Sequence, residues 1–400
     1  MSADRRSPFA GSTLDERAAE AEHSVTTLFG GRLAGMPFTH LARTTHPQRP
    51  SPTWNYWWQA HYLDAVVDAG LRRLRAGDLD GARERARRGD RLLRTIRLRN
   101  GARWVNGFYD DMAWLALATG RLQVLHAALG RQRPQRRLRT AERDLTRQLR
   151  SAATDDLGGG LFWSVDRDFK NSPATGPAAL HLARLGARAE AQQLVDWLYA
   201  RLWSPESGLV LDGIRLTGGT GGTARGRHPS VEENGRGEVL VDHVWSYNQG
   251  TVLGALVTLG DEQSLVRAAA LVAAVEEHLT EPAGGQAVLR THGGGDGGLF
   301  TGVLGRYLAL AATTVGLDPA ARTTASALVN ATADALWVGR DLRGARAADA
   351  VSVWSPEPGV PARRAQPPGA SIELSTQVQA WTLLEASAAV GHPTSGEARR

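Results

Sequence analysis

The stretch Gly250-Thr251-Val252-Leu253-Gly254-Ala255-Leu256-Val257-Thr258-Leu259, a lone Gly260, and then Asp261-Glu262-Gln263-Ser264-Leu265-Val266-Arg267-Ala268-Ala269-Ala270-Leu271-Val272-Ala273-Ala274-Val275-Glu276-Glu277 sets the architecture. The first half is apolar and small all round, so it reads as a helix buried on most sides. The second is amphipathic, with charge on one face and Ala, Leu and Val on the other. Ala178–Leu185 and Ala187–Arg201 repeat this pairing of a buried helix with a wetter one.

Helical periodicity of the same kind predicts helices over about 13–29, 55–76, 79–98, 110–119, 121–130, 137–153, 174–185, 187–202, 243–259, 261–279, 298–315, 318–337 and 372–390, with no convincing strand ladder between them. The chain is read as all-α. Alternating buried and wet helices fit a double ring, and six pairs closed on themselves would make an (α/α)6 barrel. An open solenoid is the rival, but no fixed-period repeat runs through the sequence. A Gly-rich break at 216–238 and a Pro-rich one at 355–369 are read as loops inside one domain spanning 13–392. Residues 1–12 and 393–400 are expected to be disordered tails.

With 42% apolar and 22% charged residues, the 400-residue chain has the composition of a folded domain. Its formal charge of +6 and pI near 10.2 would suit nucleic acid. Yet all but one of the 47 basic residues are Arg, interspersed with Asp and Glu, and the densest cluster, Arg131–Arg143, holds no aromatic residue for base stacking. No nucleic-acid partner is expected. Cysteine is absent, which removes disulfides and thiolate metal ligands. No run of about 18 apolar residues predicts a membrane span. Arg5-Arg6 lacks a following apolar stretch, so a cytoplasmic location is expected, with secretion as the alternative.

Chemistry enters at Phe108-Tyr109-Asp110-Asp111-Met112-Ala113-Trp114, where two adjacent acids stand among aromatics at the mouth of an apolar helix. Breaking a glycosidic bond takes two carboxyl groups, about 5 to 5.5 Å apart when one attacks the sugar and the other protonates the leaving oxygen. Adjacent residues at a helix start diverge by only about a quarter turn, which permits such spacing. Mutual repulsion would raise the proton affinity of one acid, splitting the pair into acid and nucleophile. The bland alternative is that Asp110 and Asp111 simply cap the helix.

Context favours the first reading. Gly160-Leu161-Phe162-Trp163 leads into Phe169-Lys170-Asn171-Ser172-Pro173-Ala174-Thr175-Gly176-Pro177, and Val244-Trp245-Ser246-Tyr247-Asn248-Gln249-Gly250 opens another apolar helix. Together with Tyr109-Asp110-Asp111 these resemble glycoside hydrolase family 76, the endo-α-1,6-mannanases. The likeness extends to Gly208–Ile214, Gly298–Tyr307 and Leu374-Ser375-Thr376-Gln377, over roughly residues 54–390. It implies an (α/α)6 barrel hydrolysing α-1,6-linked mannose chains with retention, Asp110 matching the nucleophile and Asp111 the general acid/base. Phe162-Trp163 departs from the pair of tryptophans common at that place.

The candidate sugar contacts are Trp57, Tyr109, Trp163, Lys170, Asn171, Asp212, Trp245, Tyr247, Asn248 and Gln249. Lys170 is the only lysine, and a compact ammonium suits a tight polar space. Asn171 and Asp212 could equally serve turns, and Asn248 and Gln249 could cap their helix. Trp57 and Trp58 cannot both face one direction, so one belongs to the core. His61, His181 and His243 lack metal-ligand spacing, and Gly218–Gly222 lacks the ending of a nucleotide loop, so neither metal nor cofactor is expected. The expected partner is a carbohydrate, bound by a monomer. Two other functions remain open: a sugar epimerase or isomerase, which would need His61 and His243 to converge, and a mannan-binding protein without turnover.

Overall fold

The computed structural model describes residues 12–48, 53–131, 135–216, 231–233, 237–344 and 350–391. Its helices are α1 (Leu14–Phe29), α2 (Tyr56–Arg75), α3 (Leu79–Arg99), α4 (Tyr109–Ala128), α5 (Arg136–Ala152), α6 (Ser172–Arg184), α7 (Arg188–Arg201), α8 (Ser246–Leu259), α9 (Glu262–His278), α10 (Gly297–Ala312), α11 (Pro319–Val338), the short α12 (Ala362–Ala365) and α13 (Leu374–Val390). None is long and apolar enough to cross a membrane.

Helices α2, α4, α6, α8, α10 and α13 each pack on the next, and α13 packs back on α2, which closes an inner ring. The outer ring is α3, α5, α7, α9, α11 and α1, each against its inner partner, with α1 covering α13. This is the (α/α)6 barrel. Glycine lets the inner helices approach: a Cβ on Gly250 of α8 would lie 2.8 Å from Leu304 Cα of α10, and one on Gly302 would lie 2.9 Å from Gln379 Cα of α13. The outer helices bury one stripe only, as α5 does with Leu138, Ala141, Leu145, Leu149 and Ala152.

Helix starts differ between the rings. Outer α1, α3, α9 and α11 are capped by the side chains of Thr13, Asp78, Asp261 and Asp318. Of the inner helices only α6 has a side-chain cap, from Asn171. The starts of α2, α4, α8, α10 and α13 carry none, leaving their N–H groups and the positive ends of their dipoles for other uses.

Two expectations are corrected. The segments 110–119 and 121–130 form one helix, α4, continuous through Gly120. Packing on α2, α5 and α6 outweighs the roughly 1 kcal/mol that an internal glycine costs. Strands also exist. A four-stranded antiparallel sheet joins β1 (Phe169–Asn171), β2 (Gly213–Leu216), β3 (Val231–Glu233) and β4 (Glu238–Val241) in the order β1-β2-β4-β3. So the expected loop at 216–238 has strands at its edges, while Thr217–Gly222 lies outside the described residues. The same holds for nearly all of both tails.

Candidate active site

The starts of α2, α4, α6, α8 and α10 gather at one end of the barrel around a cavity of about 290 Å³. It is lined by Trp57 of α2, Asp110 and Trp114 of α4, Asn171 and Pro173 at α6, Trp245 and Tyr247 at α8, and Asp296 and Phe300 at α10. Trp163, Phe169, Asp212 and Arg215, from the sheet side, complete it.

Most of its wall is aromatic. Tyr247 stacks on Phe300 with ring centres 4.0 Å apart, and Trp57 lies 6.2–6.5 Å from Phe300, Tyr247 and Trp114. Flat apolar faces beside a few polar groups are what a sugar ring needs, since it presents C–H groups on its faces and hydroxyls at its rim.

Helix α4 starts at Tyr109 with Phe108 as a cap residue that offers no side-chain bond, so Asp110 and Asp111 sit inside the first turn. Phe108 forms a bridge to Ser164, and the Tyr109 N–H donates to the Trp163 carbonyl at 2.8 Å. That pairing sets Trp163 over the acids. Its indole N–H donates to Asp110 Oδ2 at 3.0 Å, and the Asp111 N–H donates to Asp110 Oδ1 at 2.9 Å. Asp111 Oδ2 accepts from the Asn106 amide at 2.6 Å, and Asn106 is itself fixed by the Phe108 N–H at 3.0 Å.

Burial pushes both carboxyls up, and the charge of Asp111 pushes Asp110 further. The N–H donors on Asp110 and the Asn106 amide on Asp111 act the other way. Asp111 reaches about 7, raised by burial and by the charge of Asp296 against the pull of Asn106. Two coupled acids in this state hold one proton between them near neutrality. Another acid on the wall, Asp212, is also pushed up to about 7 by burial, opposed by Asn248 and Arg215.

Of the residues picked from the sequence, Trp57, Asp110, Trp163, Asn171, Asp212, Trp245 and Tyr247 line the cavity. Asp111 stands next to the wall without being part of it. Asn171 does double duty, its Oδ1 capping α6 through the Ala174 N–H at 3.1 Å. Four selections turn out otherwise. Lys170 is fully buried, and its ammonium donates to the carbonyls of Thr154, Asp156 and Gly159 at 2.7, 2.7 and 2.8 Å, which ties down that loop. Gln249 clamps the Val210 backbone with both amide atoms, at 2.8 and 2.7 Å. Tyr109 is buried and does not line the cavity. Asn248 is buried beside Asp212 and favours its charged form, although neither amide atom has a hydrogen bond of full geometry.

The sequence reading passed over Asn106, Trp114, Asp296, Phe300 and Arg215. Trp114 and Phe300 stood in the quoted motifs without being picked as sugar contacts. Asp296 lay outside every quoted motif. Arg215 pairs with Asp168 at 2.7 Å on the outer side. His61 is buried and held down to about 3, and neither it nor His243 lines the cavity. Among the described residues no group of His, Asp and Glu is arranged to hold a metal ion.

Comparison with known proteins gives the family and the fold. The family model described as glycosyl hydrolase family 76 matches residues 13–357. No curated protein matches. Among solved structures, the GH76A α-1,6-mannanase of Salegentibacter sp. HEL1_6 is 26% identical, with a TM-score of 0.74 over 94% of this chain and 100% of that one. An inactive variant of that enzyme with two adjacent Asp-to-Asn changes, bound to α-1,6-mannotriose, gives a TM-score of 0.75 with the same identity and coverage. The Lin0763 protein of Listeria innocua shares the fold at 23% identity, with a TM-score of 0.71 over 95% of this chain and 99% of that one. The chain belongs to glycosyl hydrolase family 76 and is a glycoside hydrolase.

Proposed function

We propose that this enzyme hydrolyses α-1,6-linked mannose-containing glycans by double displacement with retention, Asp110 acting as nucleophile and Asp111 as general acid and base. The observation that carries this reading is the coupled pair beside an aromatic-walled cavity, one acid held by N–H donors and the other by an amide. N–H groups favour the ionised form, and Asp110 has the larger share of them. With the proton on Asp111 its charge no longer raises Asp110, and the N–H donors then hold Asp110 ionised against its burial.

In the first step the Asp110 carboxylate forms a bond to the anomeric carbon as the bond to the leaving oxygen breaks, and Asp111 gives that oxygen its proton. In the second, Asp111 takes a proton from water, the water oxygen bonds to the same carbon, and Asp110 leaves as a carboxylate. Two inversions return the α configuration. The linkage and sugar are supported by the Salegentibacter relative, an α-1,6-mannanase seen with α-1,6-mannotriose, whose two adjacent Asp-to-Asn changes accompany inactivity.

Asp110→Asn and Asp111→Asn, assayed separately on α-1,6-mannan, should each lose about 10² to 10⁴ of the turnover. Full turnover by both variants excludes the mechanism. The epimerase reading fails its own requirement, because His61 and His243 do not meet in the cavity.

A further inference from the structure

We infer that Asp296 is a positioning residue for this reaction, tying the Trp57 face of the cavity to the carboxyl that donates the proton. The inference rests on the hydrolytic reading above and extends it to a third acid.

Asp296 occupies the cap position of α10 but does not cap it; no bond runs from its side chain to that helix. Its Oδ1 instead accepts both indole N–H groups of α2, from Trp57 at 3.1 Å and from Trp58 at 2.8 Å. One oxygen therefore fixes a ring on the cavity wall and a ring in the core. The turn carrying it is itself held. Gly293 and Gly295 take positive φ, +73° and +60°, and the Gly295 N–H donates to Glu373 at the start of α13 at 2.6 Å. Asp296 thus links the starts of α2, α10 and α13 across the ring.

It shares the cavity wall with Asp110, the neighbour of Asp111, and its charge raises the proton affinity of Asp111. The other titratable groups around Asp111 are Asp110 on its own helix and Tyr56 of α2, and burial keeps Tyr56 neutral. Tyr247 of α8 feels both Asp110 and Asp296 and is likewise neutral. Asp212 and Arg215 line the same cavity from the sheet side, and burial holds His292, on the turn before α10, down to about 4 and neutral. Against that fixed background a negative charge at Asp296 favours the proton on Asp111.

The test separates charge from hydrogen bonding. Asp296→Asn keeps an amide oxygen for the two indoles and removes the charge, while Asp296→Ala removes both. With α-1,6-manno-oligosaccharides, the alkaline limb of kcat/KM for Asp296→Asn should move to lower pH by roughly half to one unit with KM nearly unchanged. Asp296→Ala should add a roughly tenfold rise in KM. Trp57→Phe should raise KM and leave the limb in place. Infrared titration of the protonated carboxyl band, assigned with Asp111→Asn, reads the same shift without substrate. A wild type inactive on mannan would therefore count against the assigned substrate and not against Asp296. An Asp296→Asn protein whose kinetic and infrared titrations both coincide with wild type overturns the inference.

Discussion

The indole N–H of Trp163 donates to Asp110 Oδ2 at 3.0 Å, joining an aromatic wall of the cavity to the proposed nucleophile. A hydrogen bond to a charged group contributes about 1.5–3 kcal/mol. Trp163→Phe keeps a ring and removes the donor. It should lower kcat by roughly ten- to a hundredfold, and an unchanged kcat would show that this bond does not support the carboxylate.

The pH profile follows from the pair. Turnover requires Asp111 protonated and Asp110 ionised. Since Asp111 sits at about 7, kcat/KM should fall as pH rises through about that value. An activity that stays flat well into the alkaline range would mean that another group supplies the proton.

How far this was legible in the sequence depends on what each residue spends its polar atoms on. Helix pairing was visible because inner and outer helices differ in how much of their surface is apolar. The acids and most of the aromatic wall were visible as polar or bulky groups where a buried helix begins. Lys170 and Gln249 looked like ligands for the same reason, yet their atoms are consumed by backbone carbonyls and amides that only the folded chain brings within reach. Asp296 was hidden because its partners, Trp57 and Trp58, lie more than two hundred residues away. The short β1-β2-β4-β3 sheet was hidden because its strands are only three or four residues long, two of them flanking a Gly-rich stretch.

Lys170 gives a stability prediction. Three carbonyls converge on one compact ammonium, a geometry that the planar guanidinium of Arg does not reproduce. Lys170→Met and Lys170→Arg should each lower the unfolding free energy, the former by about 2–4 kcal/mol. Urea denaturation checks this, and an unmoved midpoint in both variants would contradict it.

A second prediction concerns the barrel interior, where Asp64 and Asp68 of α2 pair with Arg121 of α4 and Arg306 of α10. Burial pushes the Asp64 carboxyl up, but Arg121 and Arg306 outweigh it and hold it at about 2, below its unfolded value. The folded form therefore binds that proton less readily. The resulting stability, roughly 2 kcal/mol, is present above about pH 4 and is lost as pH falls toward 2. In Asp64→Asn this acid dependence should shrink, and neutral-pH stability should drop by about 3–5 kcal/mol because charges are left unpaired. Denaturant midpoints measured across that window decide it.

The most direct measurement follows the reducing-end anomer first released from α-1,6-mannan by proton NMR, before mutarotation equilibrates it. Attack by Asp110 followed by water aided by Asp111 predicts the α-anomer. A β-anomer appearing first would mean a single inversion, and the roles given to the two neighbouring aspartates would be wrong.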